Sequence, residues 1–525
     1  MAEDNLIVQA MIDGYGKDFS GLEALFTLEV SEEDISELLS PIPELGRYRK
    51  HVKFLENVTS GAAYGKLRFR VMTEYYIALG IFFDENAVLG AIVEHVMEEE
   101  ERNLRKIGLY LEDIVRAQLI EKFTGHDTAA AGDFIKLKIA REIPSLINSI
   151  EGVHFAATSE DVIGNVTGLM GNNLVYRHFI PVVLNFWRSM IEFSQDSLIL
   201  PGLTHKQAAE PTTHKKIIAV RSDATATSLE KLIKKNGEFQ PFSGKMGGAV
   251  GNLTCHYAAY PYLNWQFFAR RFVEDLGLHY HEMTDQCSPY VMEAFILGII
   301  CNVLEQIIKF ANDFCDLVSC PGQLFVKLKK AGEKGSSIMP GKTNLWGIEG
   351  GIVMIEKTQN NLRFLASKLQ KYPHQGNMAR SYLMRAIGGD FMPAFIGIAR
   401  IASEIKKCVP SEWNINECLK KYPGMCGSAL QTFLKANRVK DDAYRLIQGI
   451  SINSDGNYAN DAEFKSGLKG IMNNLNLDEA TKDQLLKLTD FVTLVGPAES
   501  TAERVLDRNK LAFNCYDDLC QQVKI

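Results

Sequence analysis

The sequence predicts a mainly α protein with a bundle of long helices at its centre. From 288 to 319, apolar residues recur at Val291, Met292, Phe295, Ile296, Ile299, Ile300, Val303, Leu304, Ile307, Ile308 and Phe310. That is helical spacing on more than one face, and such a helix must be buried among others. Residues 176–197, 218–235 and 352–369 read the same way. Breaks rich in Gly, Pro and Thr at 200–213, 244–252 and 319–344 separate the rods, as in a multi-helix bundle.

Three domains follow from the changes in texture. Residues 1–147 mix helix and loop with charge-rich helices and read as a smaller leading domain. Residues 148–405 hold the central bundle. Residues 406–525 turn Asn-, Asp- and Lys-rich, as at 453–460 and 473–482, and read as a small helical C-terminal domain.

Composition narrows the function classes. A chain of 525 residues with 46% hydrophobic content can bury a large core. The net charge is −7 and the isoelectric point about 6.0. Basic residues are scattered, with no basic run or aromatic-basic stripe, which argues against nucleic acid as a partner. The acidic start Met1-Ala2-Glu3-Asp4 does not read as a signal peptide. The longest apolar stretch carries Glu293, Asn302, Glu305, Gln306, Lys309 and Asp313, so no membrane span is expected. None of the ten cysteines forms a Cys-x-x-Cys pair; reduced thiols in the cytoplasm are the expectation. His and Cys spacings suggest no metal. Gly247 to Gly251 lack a preceding strand and read as a tight loop rather than a dinucleotide site, so no cofactor is expected.

The segment Gly335-Ser336-Ser337-Ile338-Met339-Pro340-Gly341-Lys342-Thr343-Asn344 stands out chemically. Its glycines and proline mark a mobile loop. It carries a hydroxyl able to act as a base, a cation and an amide. Those groups can take a proton from a carbon beside a carboxylate and hold the charge that develops.

This loop resembles the G-S-S-x-M-P-x-K-x-N signature of the fumarase/aspartase superfamily, with every fixed position present. Leu345 stands where that family usually has Pro, and Glu349 matches its Glu. Other segments resemble the bacterial-type adenylosuccinate lyase family within it. They are Gly46-Arg47-Tyr48, His126-Asp127, Thr158-Ser159-Glu160-Asp161, Thr204-His205-Lys206-Gln207, residues 245–252 with Ala258-Ala259-Tyr260-Pro261, Gln286, residues 365–369, and Ser381 with Arg385. The resemblance runs from about residue 44 onward. Alone, Thr158 to Asp161 read as a helix N-cap with an acidic first turn, and a helix N-terminus is also a carboxylate site.

The resemblance implies a three-domain fumarase/aspartase-like fold, a homotetramer, a nucleotide substrate and release of fumarate from a C–N bond. It implies Ser336 as base and His205 as acid. Thr158, Ser159, Lys342 and Asn344 would hold carboxylates, and His126 and Gln286 would orient the substrate. Arg47, Tyr48, Asp127, Ser381 and Arg385 would meet the nucleotide. Departures fall on the nucleotide side: Gly125, Lys206, Gly350, and Gly376 where the family has Arg. Arg380, beside Ser381, is the candidate replacement for that Arg, with a surface side chain as the alternative. A related lyase acting on another amine, or a non-catalytic relative, are the competing readings.

Overall fold

The computed structural model describes residues 43–319, 322–439 and 441–524. The expected leading domain therefore begins partly outside the described residues, and Cys320 lies outside them too. A short helix α1 (Pro43–Tyr48) enters the fold, and α2 (Gly61–Glu85) is its first long rod. Ser60 starts α2 by accepting from the Ala63 N–H at 3.1 Å. Such a cap satisfies one of the orphan donors at a helix start. Helices α3 (Leu111–Thr124) and α4 (Asp127–Glu142) pack as a pair beside it.

The next rod is nearly continuous. Helix α5 (Ser159–Asn172) passes through a π-helical stretch at Asn173–Phe179 into α6 (Ile180–Phe193). Leu169, Leu174, Tyr176, Ile180 and Trp187 along it are fully buried. The break expected at 200–213 is a β-hairpin of β1 (Ile199–Thr204) and β2 (Gln207–Thr213), paired antiparallel. Its prolines, Pro201 and Pro211, sit opposite each other in a two-stranded ribbon, where both strands are edges and tolerate them.

Helices α7 (His214–Glu230) and α8 (Val291–Val318) follow. Helix α8 is long and apolar enough to cross a membrane by length and mean hydropathy, yet it is a core helix here. Ile296, Ile300, Val303, Leu304, Ile307 and Ala311 are wholly inside the bundle. Burying such side chains stabilises by about 1.5–3 kcal/mol each. Strand β3 (Phe325–Lys327) leads into the signature loop, which ends at α9 (Trp346–Leu369). Helices α10 (Ala379–Arg385) and α11 (Ile387–Ile405) come next, and β4 (Cys408–Pro410) pairs with β3. Helices α9 and α11 approach closely at Gly351 and Gly397. A Cβ on Gly397 would lie 2.6 Å from the Gly351 carbonyl oxygen.

Helices α12 (Gly427–Ala436), α13 (Ala443–Ser451), α14 (Asp461–Asn474) and α15 (Glu479–Lys487) build a second, smaller core. The last helix, α16 (Phe491–Gln522), does not stay there. It returns to the main bundle against α7, where Phe513, Tyr516 and Cys520 join the large core. The polar texture expected to mark one C-terminal domain from 406 onward thus covers two destinations. All described cysteines are unpaired thiols.

Candidate active site

The first turn of α5 is a hub. Thr158 caps it, and its N–H donates to Asp161 Oδ2 at 2.8 Å. Asp161 is buried and receives Lys245 Nζ at 2.7 Å, with the Gly247 N–H at 2.8 Å on the same oxygen. Asn165 closes the contact by accepting from the Lys245 N–H at 3.0 Å and donating to its carbonyl at 2.8 Å. The loop near 245–251 is therefore stitched to α5 by a buried ion pair with its remaining polar groups satisfied.

His126 reaches the same turn from the start of α4. Its Nδ1 accepts from the Ala129 N–H at 3.4 Å, and Nε2 lies 3.1 Å from Ser159 Oγ. A ring whose Nδ1 accepts carries its proton on Nε2 when neutral, so His126 donates to Ser159. Asp127 beside it receives Arg68 at 2.9 Å and Arg385 at 2.8 Å. Burial pushes the Asp127 carboxyl up, but Arg68 and Arg385 outweigh it and hold it below its usual value. Both guanidinium groups also lie over the Tyr64 ring, at 5.0 and 4.8 Å. Tyr64, Arg68, Gln118, Glu121, Asp127 and Arg385 help line a polar cavity of about 300 Å³.

Arg380 sits deeper than expected. It is 2% exposed, donates to Glu160 at 2.9 Å and to the Asn377 carbonyl at 2.8 Å, and lies over the Tyr372 ring. It is not a surface side chain, and Glu160 and Asn377 hold part of its fork, while its Nε has no partner among the described residues. Gly376 explains why no Arg stands there: a Cβ would meet Cys287 Sγ at 2.6 Å and Gln286 Oε1 at 3.0 Å. Gln286 is fixed by its N–H to the Gln375 carbonyl at 3.0 Å. Ser381 is buried, and its hydroxyl has no partner among the described residues. Arg47, Arg380 and Arg385, all expected on the nucleotide side, are thus divided among separate partners.

The signature loop presents its tip to solvent. Ser336 Oγ accepts from the Met339 N–H at 3.2 Å, and the Lys342 N–H donates to the Met339 carbonyl at 3.1 Å. Ile338 is 82% exposed, and Lys342 is exposed as well. Arg47 and Tyr48 stand at the loop's exit rather than at the hub. Arg47 lies over the Trp346 ring at 5.8 Å, and Arg400 lies over Tyr48 at 5.0 Å.

His205 occupies the tip of the hairpin with Lys206, between paired Thr204 and Gln207. Both have left-handed backbones, φ 51° and 62°, as a two-residue hairpin turn requires. His205 is exposed. Among the described residues no hydrogen bond, ion pair or ring contact links His205 or Ser336 to the α5 hub. One chain therefore brings together His126, Asp127, Thr158, Ser159 and Arg385, with Gln286 and Ser381 on the adjoining wall. It carries Ser336, Lys342 and Asn344 on the loop and His205 on the hairpin. Sequence reasoning missed Tyr64 and Arg68, which have no local signal because each matters only through a partner distant in the chain; Glu160 was read only as an acidic first-turn residue, not as the partner of Arg380.

The long-helix bundle, with its chemical groups on the connecting loops, recurs in solved enzyme structures. The fumarate lyase from Mesorhizobium sp. BNC1 superposes with a TM-score of 0.62 at 14% identity, covering 87% of this chain and 97% of that one. The 3-carboxy-cis,cis-muconate lactonizing enzyme from Pseudomonas putida gives 0.62 at 15%, covering 87% and 99%. Residues 52–357 match a family model described as Lyase, and the chain belongs to that family, as an enzyme of the C–N lyase class. It is similar to the adenylosuccinate lyase of Escherichia coli (strain K12), 27% identical over 482 residues, covering 87% of this chain and 96% of the relative. The adenylosuccinate lyase of Dictyostelium discoideum is 28% identical over 460 residues, covering 86% and 95%.

Proposed function

We propose that this enzyme releases fumarate from adenylosuccinate, leaving AMP, and from succinylaminoimidazole carboxamide ribotide by the same β-elimination. The observation that carries this reading is the complete loop signature, with half-buried Ser336 beside its exposed tip, in a chain whose relatives along most of its length are adenylosuccinate lyases. Ser336 takes the proton from the carbon beside the succinyl carboxylate. The electron pair forms the new double bond as the C–N bond breaks, and His205 gives a proton to the departing nitrogen. Thr158, Ser159, Lys342 and Asn344 hold the carboxylates while negative charge develops. His126 and Gln286 orient the substrate, and Arg47, Tyr48, Asp127, Ser381 and Arg385 face the nucleotide. A serine is too weak a base in water, so loop closure beside positive charge and away from solvent is part of the reaction.

The separation of His205, Ser336 and the α5 hub on one chain favours a site assembled from several copies. In this reading the enzyme is a homotetramer and each site draws on three subunits. Apolar side chains left exposed on α8 and α9, among them Val291, Phe295, Val353 and Phe364, support packing against other copies. The cytoplasm suits its reduced thiols. The test is an absorbance assay of fumarate release from both purine substrates. Release from neither would leave a related lyase with another amine, or a non-catalytic protein.

A further inference from the structure

The signature loop leaves β3 directly after Lys327 and rejoins the bundle at Leu345. Lys327 and Glu404 of α11 form a buried pair at 2.7 Å, with side chains 1% and 2% exposed. The same ammonium donates to the Asn344 carbonyl at 3.0 Å and lies 3.7 Å from Glu333 Oε1. One cation thus touches α11, the last residue of the loop signature, and the loop's first limb. Lys407 takes the other Glu404 oxygen at 3.0 Å. The two limbs meet again higher up, where a Cβ on Gly335 would lie 2.2 Å from the Lys342 carbonyl oxygen. Beyond that neck lies the exposed tip.

We infer that Lys327 is a positioning residue that clamps both feet of the signature loop, so that its tip swings as one lobe on a fixed base. A buried ammonium must keep its acceptors; of its two hydrogen-bond acceptors here one, the Asn344 carbonyl, belongs to the loop's far foot, and Glu333 on the first limb adds a longer ion pair. Fixed feet return Ser336, Lys342 and Asn344 to the same geometry at each closure, which is what an oriented reaction needs. The catalytic consequence rests on the function proposed above; the clamp itself can be read without substrate.

The experiment compares wild type, Lys327→Arg, Lys327→Met and the double variant Lys327→Met/Glu404→Leu. Removing one partner strands a buried charge, so Lys327→Met alone can fail to fold. Replacing both by apolar side chains often preserves stability while leaving the Asn344 carbonyl without its donor. Three readouts are taken: thermal midpoint, tryptic cleavage after Lys329, Lys330, Lys334 and Lys342 in the folded protein, and kcat with KM for fumarate release. The double variant is expected to melt near wild type, yet to be cut within the loop about tenfold faster, because cleavage follows the open population. Its kcat should fall about 100-fold, as misplacement of reacting groups by about 1 Å does, with KM little changed. Lys327→Arg should recover part of both. A double variant with wild-type loop cleavage and wild-type kcat would overturn the inference. If wild type releases no fumarate, the proposed function fails, and the cleavage rates alone still decide the clamp.

Discussion

Arg380 donates to Glu160 across 2.9 Å, and the two side chains are 2% and 6% exposed. The pair ties α10 to the first turn of α5, one residue from Ser159. A guanidinium paired with a buried carboxylate has less charge to offer a phosphate than an unpaired one. Arg385, 37% exposed at its side chain, keeps that possibility, although Asp127 already occupies part of its fork.

Arg380→Ala is therefore expected to lower stability by about 3–5 kcal/mol, because it strands a buried carboxylate. Denaturant unfolding measures this directly. A wild-type midpoint with only KM raised would return Arg380 to the phosphate. Arg385→Ala should instead raise KM for phosphorylated substrates with a small change in midpoint.

Ser336→Ala should leave the fold intact, because among the described residues its side chain hydrogen-bonds only to the neighbouring Met339 N–H on an exposed loop. Turnover should drop by about 10²–10⁴, the usual loss when a general base is removed. Near-full activity in purified, folded variant would remove Ser336 from the mechanism.

His205→Ala should lower kcat by a similar order, about 10²–10⁴. His205 is exposed at the hairpin tip, so its truncation should leave the fold intact. Mixing His205→Ala with Ser336→Ala protein under subunit exchange should restore part of the activity, since some assembled sites would then contain both wild-type residues. Absence of any recovery in a mixed oligomer, or a monomer by light scattering, would contradict shared sites.

The bundle was legible in the sequence because buried rods such as α8 carry their apolar period in plain view. Ser336, Lys342 and His205 stood out because they lie in short local motifs, and the structure places them on the loop and at the hairpin tip. What escaped was pairing across distance. Nothing near Arg380 announces that Glu160 will neutralise it, and nothing near Lys327 announces Glu404, because an ion pair between remote elements leaves no local spacing. The hairpin at 199–213 was read as a plain break because its Gly, Pro and Thr content matches a loop. The return of α16 to the main core was hidden by the polar segments that precede it.

Acid should loosen the protein through His256. The ring is wholly buried, and its Nε2 lies 3.0 Å from Tyr75 Oη. Tyr75 gives its own proton to the Phe155 carbonyl at 2.7 Å, so Nε2 is the donor and Nδ1 is bare, with no partner among the described residues. Burial drives this histidine down to about 4; nearby Asp161 works against the shift and Lys245 with it. Unfolded, the ring titrates near 6.5. Between those values the unfolded chain binds more protons than the folded one, so stability rises with pH across the window. The contribution is complete above the unfolded value and is lost as pH falls toward the folded one. The gap corresponds to about 3 kcal/mol. Denaturant unfolding of wild type and His256→Gln at neutral pH and near pH 4.5 isolates the effect. His281, also lowered to about 4, remains in both proteins and cancels in the difference. Wild type should lose up to about 3 kcal/mol more than the variant on acidification. Equal losses would show that His256 does not set the acid limit. Because Phe155 lies just before Thr158, the strand of chain leading into the α5 hub should be among the first parts to loosen.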